Sequence, residues 1–248
     1  MLIINADDLG LNPAATNRIL ECHSCGAVTS SSAMVFMADS ERAAQLAAVS
    51  RLDTGLHLNF TKRFDGASVP FELMRAQDRV CRWLGLHRLA PLFYFPFLNH
   101  DFCLLIRKQV AEYERLFGKA PSHFDGHHHM HLSMNVLACR LLPPRCKVRC
   151  HFTFARGQKS LLNRAYRAAV NRVLRTRYLT PDYLFSLSFS RKNGDMDRIL
   201  RLATTCAVEL ECHPEEEEDY QWLVRDGLDA LRSVRKCTYA EFGRGGSE

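Results

Sequence analysis

The amino-acid sequence predicts an α/β fold, an incomplete (β/α) barrel of about seven parallel strands. Three observations carry that expectation. Short apolar runs rich in β-branched residues alternate with longer stretches of helical periodicity. The cycle repeats through 248 residues, a length that suits one large α/β domain. The unusual polar residues fall at the carboxyl ends of the expected strands, where sites gather in such folds.

In chain order, strands are expected over residues 2–5, 28–36, 54–59, 122–125, 147–153, 183–188 and 207–212. After the first, Asn12 followed by Pro13 gives an N-cap with proline at the first helical position, and Gly26 closes that helix. Asp39-Ser40 opens the next helix, and Gly118 ends the one running through 108–117. Ser133 can cap a short helix that Pro143-Pro144 stops. Leu161, Leu162, Ala165, Tyr166, Ala169 and Val173 have helical spacing, with arginines on the other face.

Repeated βα units give right-handed crossovers in a closed barrel or in an open doubly wound sheet, and seven strands favour the barrel. The interval 61–100 is long for one connection and carries Pro70, Pro91 and Pro96, so an inserted, partly helical lobe is expected there. With no repeat or linker to divide the chain, one domain is expected over 1–240, followed by a flexible tail at 241–248.

Hydrophobic residues at 47% and charged residues at 24% exclude disordered and fibrous classes. No apolar run approaches the ~20 residues that span a bilayer, and the opening MLIINADD lacks the features of a signal peptide, so a cytoplasmic protein is expected. In that compartment the ten cysteines are expected as reduced core residues; Cys22-x-x-Cys25 and Cys146-x-x-x-Cys150 are only fragmentary zinc signals. The formal charge of +6 is concentrated. From Arg145 to Arg177 there are ten Lys and Arg and no Asp or Glu, which predicts a basic surface.

Four short stretches carry the chemistry. Asp7 and Asp8 come directly off an apolar strand; such a doublet can cap a helix, but adjacent carboxylates repel unless a cation neutralises them. His57 lies inside GLHLN and is either a hydrogen-bonded core histidine or a ligand. DGHHHMHL at 125–132 places four of the chain's 11 histidines together. Its apolar flanks argue against a solvated turn. An extended chain would put His127, His129 and His131 on one face, whereas a helix would pair His127 with His131. Arg149, His151, Glu209, Glu211 and His213 lie on or just past later strands. An aspartate with two histidines leaves coordination positions open, the pattern of a catalytic metal site.

With these residues in view, the chain resembles the YdjC-like carbohydrate deacetylases, the family of chitooligosaccharide deacetylase and the hopanoid-associated deacetylases. NADDLG at 5–10, GLHLN at 55–59, FDGHHHMH at 124–131 and ECHP at 211–214 carry the resemblance, which weakens over 61–100 and 155–180. It implies a distorted barrel lacking a full eight strands, and metal-dependent hydrolysis of the N-acetyl group of an amino sugar. Matched residue by residue, Asp8, His57 and His127 would hold one divalent ion, Mg2+ or Zn2+. Asp7 would be the catalytic base and His213 the candidate acid. Asp125, His129, His131, Arg149 and Glu209 are the expected substrate-binding residues. The run Glu215–Glu218 after CHP departs from the family's small and apolar residues.

The expected partners are an N-acetylated sugar, lipid-linked forms included, an anionic membrane met through the stretch from Arg145 to Arg177, and a second copy of the chain as a homodimer. Nucleic acid is not expected. Two other classes compete: a metal phosphoesterase on a similar barrel, and a non-catalytic basic module that binds membrane or nucleic acid.

Overall fold

The computed structural model describes residues 1–140 and 142–243. Six parallel strands form one curled sheet in the order β4-β3-β2-β1-β6-β5. They are β1 (Leu2–Leu9), β2 (Ser30–Ala33), β3 (Asp53–Leu58), β4 (Phe124–Gly126), β5 (Tyr183–Ser186) and β6 (Val208–Cys212). The result is a distorted, incomplete (β/α) barrel.

The stretch 147–153, expected as a strand, is not a regular one. It closes the gap between the sheet's two edges through single bonds: Phe124 N–H donates to the Lys147 carbonyl (2.9 Å) and Arg149 N–H to that of Phe124 (3.0 Å). On the other side, Thr153 N–H donates to the Leu184 carbonyl (2.9 Å). A continuous ladder fails because the Asn171 side chain takes both backbone groups of His151, at 2.6 and 3.2 Å.

Helices α1 (Pro13–Ser24), α2 (Ser40–Ser50), α3 (Phe71–Leu86) and α4 (Asn99–Phe117) cover one side of the sheet. Asn12 caps α1 as its sequence requires, accepting from Ala15 N–H at 2.9 Å. Apolar side chains such as Ile19, Ala43, Phe102 and Leu105 are buried between these helices and the strands. The 61–100 interval is helical in part: Arg79 of α3 pairs with Asp101 of α4 at 2.6 Å, and Trp83 of α3 stacks on Phe95 in the segment that leads into α4. Next come α5 (Met134–Cys139), α6 (Leu161–Arg175), α7 (Leu187–Lys192), α8 (Met196–Ala203), α9 (Glu217–Gln221) and α10 (Gly227–Arg232).

In α6 the expected apolar stripe faces outward. Leu161, Leu162 and Val173 are 79%, 81% and 57% exposed, while Val170, Asn171 and Leu174 pack inward. The grip of Asn171 on the His151 backbone sets that rotation. All ten cysteines are free thiols. Residues 244–248 of the expected tail lie outside the described residues, whereas Tyr239 just before it is fully buried.

Inside the barrel, strand alternation turns Asn5 and Asp7, Ser30 and Ser32, Gly55 and His57, Asp125, and Glu209 and Glu211 toward one another. This interior is polar. Gly55 is where close approach demands glycine, because a Cβ there would lie 2.3 Å from the His123 ring.

Candidate metal centre

Asp7 and Asp8 lie within β1 rather than after it. The pairing of β1 with β2 shifts register between Ala6 and Leu9, and Asp8 has φ +71°, a conformation unusual for a residue with a side chain. The bulge turns the two neighbouring carboxylates to different tasks.

Asp7 is gripped from beneath. Both Arg149 Nη atoms donate to it at 2.6 Å, and Asn5 Nδ2 donates to its Oδ1 at 2.9 Å. Burial raises the Asp7 pKa, but the Arg149 charge and hydrogen bonds outweigh that effect and hold it well below the usual carboxylate range. Arg149, itself fully buried, also reaches Asp125 (2.9 Å) and Glu209 (2.8 Å). Ser32, from the serine run of β2, donates to Asp125 Oδ2 at 2.7 Å.

Asp8 Oδ1 has a different neighbour. It is buried, has no hydrogen-bond partner among the described residues, and lies 3.4 Å from His57 Nε2. His57 Nδ1 is held by Asp125 Oδ1 at 2.9 Å. A carboxylate on Nδ1 fixes the ring so that Nε2 can present a lone pair, the second-sphere arrangement common to metal-binding histidines. His127 repeats the device, with Nδ1 at 2.8 Å from Thr61 Oγ1, and its ring stands edge-on to that of His57 at 5.9 Å.

The electrostatics call for a cation. Four buried carboxylates, Asp7, Asp125, Glu209 and Glu211, surround one guanidinium, and a fifth, Asp8, is buried beside His57. Burial would lower the His57 pKa, yet Asp125, Asp7 and Asp8 outweigh it and raise the ring to about 9. His127, half-buried and facing His57, is pushed down to about 3 by desolvation and by the His57 charge and is neutral, as a ligand must be. Without an ion, a proton on His57 supplies positive charge here.

Among the described residues, two groups have ligand atoms all within 4.8 Å of one another, Asp7, His57 and Asp125, and Asp7, Glu211 and His213; the expected trio of Asp8, His57 and His127 is not one of them. In both, Asp7 is already neutralised by Arg149, and an added cation would meet that fixed charge. The Asp8 side of His57 has no such competitor.

A cation at His57 Nε2 must displace its proton, which the raised pKa retains up to about pH 9. Metal affinity is therefore expected to fall roughly tenfold for each pH unit below that value, with proton release on binding. Calorimetry in buffers of different ionisation enthalpy checks this; affinity independent of pH from 9 to about 7 would contradict it.

The histidine run is neither extended nor helical at its start. His128 and His129 both adopt left-handed backbone, with φ of +54° and +57°. The rings consequently fan apart. His127 faces His57, His129 Nε2 lies 3.3 Å from Glu211, and His131 turns inward with Nε2 on the Arg149 carbonyl at 3.2 Å. Burial pushes His131 down to about 3.

Of the five expected substrate contacts, only His129 stays at the mouth. Asp125, His131, Arg149 and Glu209 are buried and bonded, Glu209 also accepting from the Tyr239 hydroxyl, so they support the site from below. His213 is 38% exposed at its side chain, with Nε2 3.6 Å from Glu211 and 3.9 Å from Asp7. Its burial lowers the pKa, but Asp7, Glu211 and Asp8 prevail and raise it. Sequence reasoning missed Asn5, Ser32 and Thr61. Asn5 stands inside NADDLG, and the polar run at 29–32 in a buried strand was the signal for Ser32.

The chain is similar to known proteins in sequence and in fold. The chain is 34% identical over 137 residues to a chitooligosaccharide deacetylase of Proteus mirabilis and 29% identical over 137 residues to that of Serratia marcescens. Each match covers 55% of this chain and 52% of the relative, so the chain spans about half the length of the curated relatives it matches. A crystal structure from Enterococcus faecalis, described as a cellobiose-phosphate cleavage protein, superposes with a TM-score of 0.62 at 23% identity, covering 96% of this chain and 97% of that one. It shares the fold. The family described as YdjC-like protein matches residues 1–236 of the 248, and the chain belongs to that family.

Proposed function

We propose that this protein is a carbohydrate N-deacetylase that uses one divalent ion, held by Asp8, His57 and His127, to hydrolyse the acetamide of an amino sugar. The observation that carries the reading is the unpartnered Asp8 Oδ1 facing His57 Nε2, on a ring that Asp125 holds through Nδ1. The deacetylase names of the relatives support the substrate class. A divalent ion at such a site supplies a nucleophile at neutral pH and polarises an amide carbonyl.

The chain's own residues supply the proton traffic. Asp7 Oδ2 lies between Arg149 and the His57 and His213 rings, the place for a proton acceptor. Arg149 makes it a weak base while fixing its position. His213, whose pKa the charges of Asp7, Glu211 and Asp8 raise against its burial, is the donor to the departing amine. Asp7→Asn is expected to keep metal affinity and lower kcat by ~10²–10⁴-fold. Acetate release from N-acetylglucosamine oligosaccharides, with and without chelator, tests the proposal; chelator-insensitive turnover would sink it.

A phosphoesterase with two ions is favoured by one observation, the second cluster of Asp7, Glu211 and His213. A metal count per chain separates the readings, because the deacetylase proposed here needs one ion.

The outward face of α6 supports contact with an anionic membrane. Leu161, Leu162 and Val173 project from a helix that also carries Arg164, Arg172 and Arg175. Among the described residues no helix is long and apolar enough to cross a membrane. Co-sedimentation with phosphatidylglycerol vesicles is expected, and Leu162→Glu should abolish it; equal binding to neutral vesicles would contradict the reading.

A further inference from the structure

The floor of the barrel is closed by the segment 235–242. Leu2 N–H donates to the Arg235 carbonyl (2.9 Å) and Cys237 N–H to that of Leu2 (3.0 Å), which lays the segment along the start of β1. The residues that follow read TYAE, a threonine with a glutamate three positions later, and they close on each other as that spacing predicts. Thr238 N–H donates to Glu241 Oε2 (2.8 Å) and Glu241 N–H to Thr238 Oγ1 (3.1 Å). The backbone is then tied to the first residues of β2 and β3, Tyr239 N–H donating to Ser30 Oγ (2.8 Å) and Ala240 N–H to Asp53 Oδ2 (3.0 Å). Lys147 Nζ donates to the Tyr239 and Ala240 carbonyls.

Held in this way, the Tyr239 side chain points up into the polar interior. It is fully buried, its ring stacks on His123 at 3.8 Å, and its hydroxyl donates to Glu209 Oε2. A buried tyrosine that has found an acceptor is ordinary packing. What lies beyond the acceptor is not. The other Glu209 oxygen, Oε1, takes Arg149 Nε–H at 2.8 Å, and the two Nη atoms of that guanidinium form the 2.6 Å fork on Asp7.

A guanidinium is planar and rigid, so whatever fixes Nε also fixes the direction of both Nη atoms. The place of Glu209 therefore sets where Arg149 meets Asp7. Burial raises the Glu209 pKa to about 7 against the Arg149 charge and the Tyr239 hydrogen bond, so the hydroxyl also favours the ionised carboxylate that Arg149 needs. Tyr239 keeps its proton to donate, because burial and the Glu209 charge raise it well above the usual phenol range.

We propose that Tyr239 is a positioning residue, which through Glu209 and Arg149 fixes the Asp7 carboxylate in place as proton acceptor. The part played by Asp7 rests on the deacetylase reading; the path from Tyr239 to Asp7 does not. The match to the YdjC-like family ends at residue 236, so this contribution comes from chain beyond it.

Tyr239→Phe removes the hydroxyl and keeps the ring. Misplacing a reacting group by about 1 Å costs up to ~10²-fold in rate, so kcat for acetate release from N-acetylglucosamine oligosaccharides is expected to fall on the order of tenfold. KM and metal affinity should not move, since Tyr239 and Glu209 are both fully buried. Ile199→Ala, a cavity in the buried face of α8, is the control for stability alone: it should lower the melting temperature and leave kcat unchanged where the protein is folded. Glu209→Gln should lower kcat as Tyr239→Phe does, and combining the two should cost no more than Glu209→Gln by itself. Where Tyr239→Phe fails to fold, Glu209→Gln serves in its place.

Unchanged kcat in Tyr239→Phe, or an equal fall in Ile199→Ala, overturns the positioning role. So do effects of Tyr239→Phe and Glu209→Gln that multiply. Should the wild-type protein release no acetate, the deacetylase reading fails, and a crystal structure of the variant decides this one without substrate. An Arg149 fork displaced from Asp7 is the expected result, and an unaltered fork overturns the path.

Discussion

Replacing Asp8 or His57 by alanine is expected to remove metal binding and acetate release together, reducing turnover to the level of chelated wild-type protein. The two residues act as one unit. His57 Nε2 and Asp8 Oδ1 face each other at 3.4 Å, near the roughly 3 Å separation expected for two donors sharing an ion at ~2.0–2.2 Å each. His57→Ala also strands Asp125, whose Oδ1 loses its ring partner while Oδ2 keeps Ser32 and Arg149. Asp8→Ala is the cleaner variant, because its unpartnered Oδ1 leaves no broken hydrogen bond behind. Full activity in Asp8→Ala protein shown to be free of metal would defeat the ligand assignment.

Arg149→Met should have the largest effect on stability. The guanidinium is fully buried and touches Asp7, Asp125 and Glu209 within 2.9 Å. Removing one partner from such a cluster leaves uncompensated buried charge, a loss of about 3–5 kcal/mol. At ~2–4 °C per kcal/mol for a chain of this size, the melting temperature falls by on the order of 10 °C.

The pH dependence provides a sign to check. In the wild-type protein Asp7 is held well below its ordinary pKa, so its contribution is present above about pH 4 and lost as pH falls through the folded-state value. Without Arg149 only the His57 and His213 charges oppose burial, so the folded-state pKa rises and the variant should lose less stability than the wild-type protein as pH falls from neutrality. Parallel stability profiles for the two proteins would show that Arg149 does not neutralise this cluster.

Much of the site was legible because parallel strands deliver side chains to one end. NADDLG, GLHLN and ECHP each place polar residues at or beside a strand terminus, and pairing of β3 with β4 aligns His57 with Asp125. The first helix was equally clear, since Asn12 and Pro13 act locally.

What depended on tertiary contacts was hidden. The left-handed pair at His128 and His129 sends neighbouring rings to different partners, which no period-two or period-3.6 pattern describes. Arg149 reads as a substrate-binding residue within a basic run, yet it is buried and neutralises carboxylates contributed by β1, β4 and β6. The irregular closure at 147–153 and the outward stripe of α6 share one cause, the Asn171 amide bonded to the His151 backbone. A hydrophobic pattern alone could not show which side of that helix meets the barrel.

The most direct test is anomalous diffraction from crystals of the protein grown with zinc or manganese. A single ion bonded to Asp8 Oδ1 and to the Nε2 atoms of His57 and His127 is the expected result. An ion bonded instead to Asp7, Glu211 and His213, or none at His57, would contradict it.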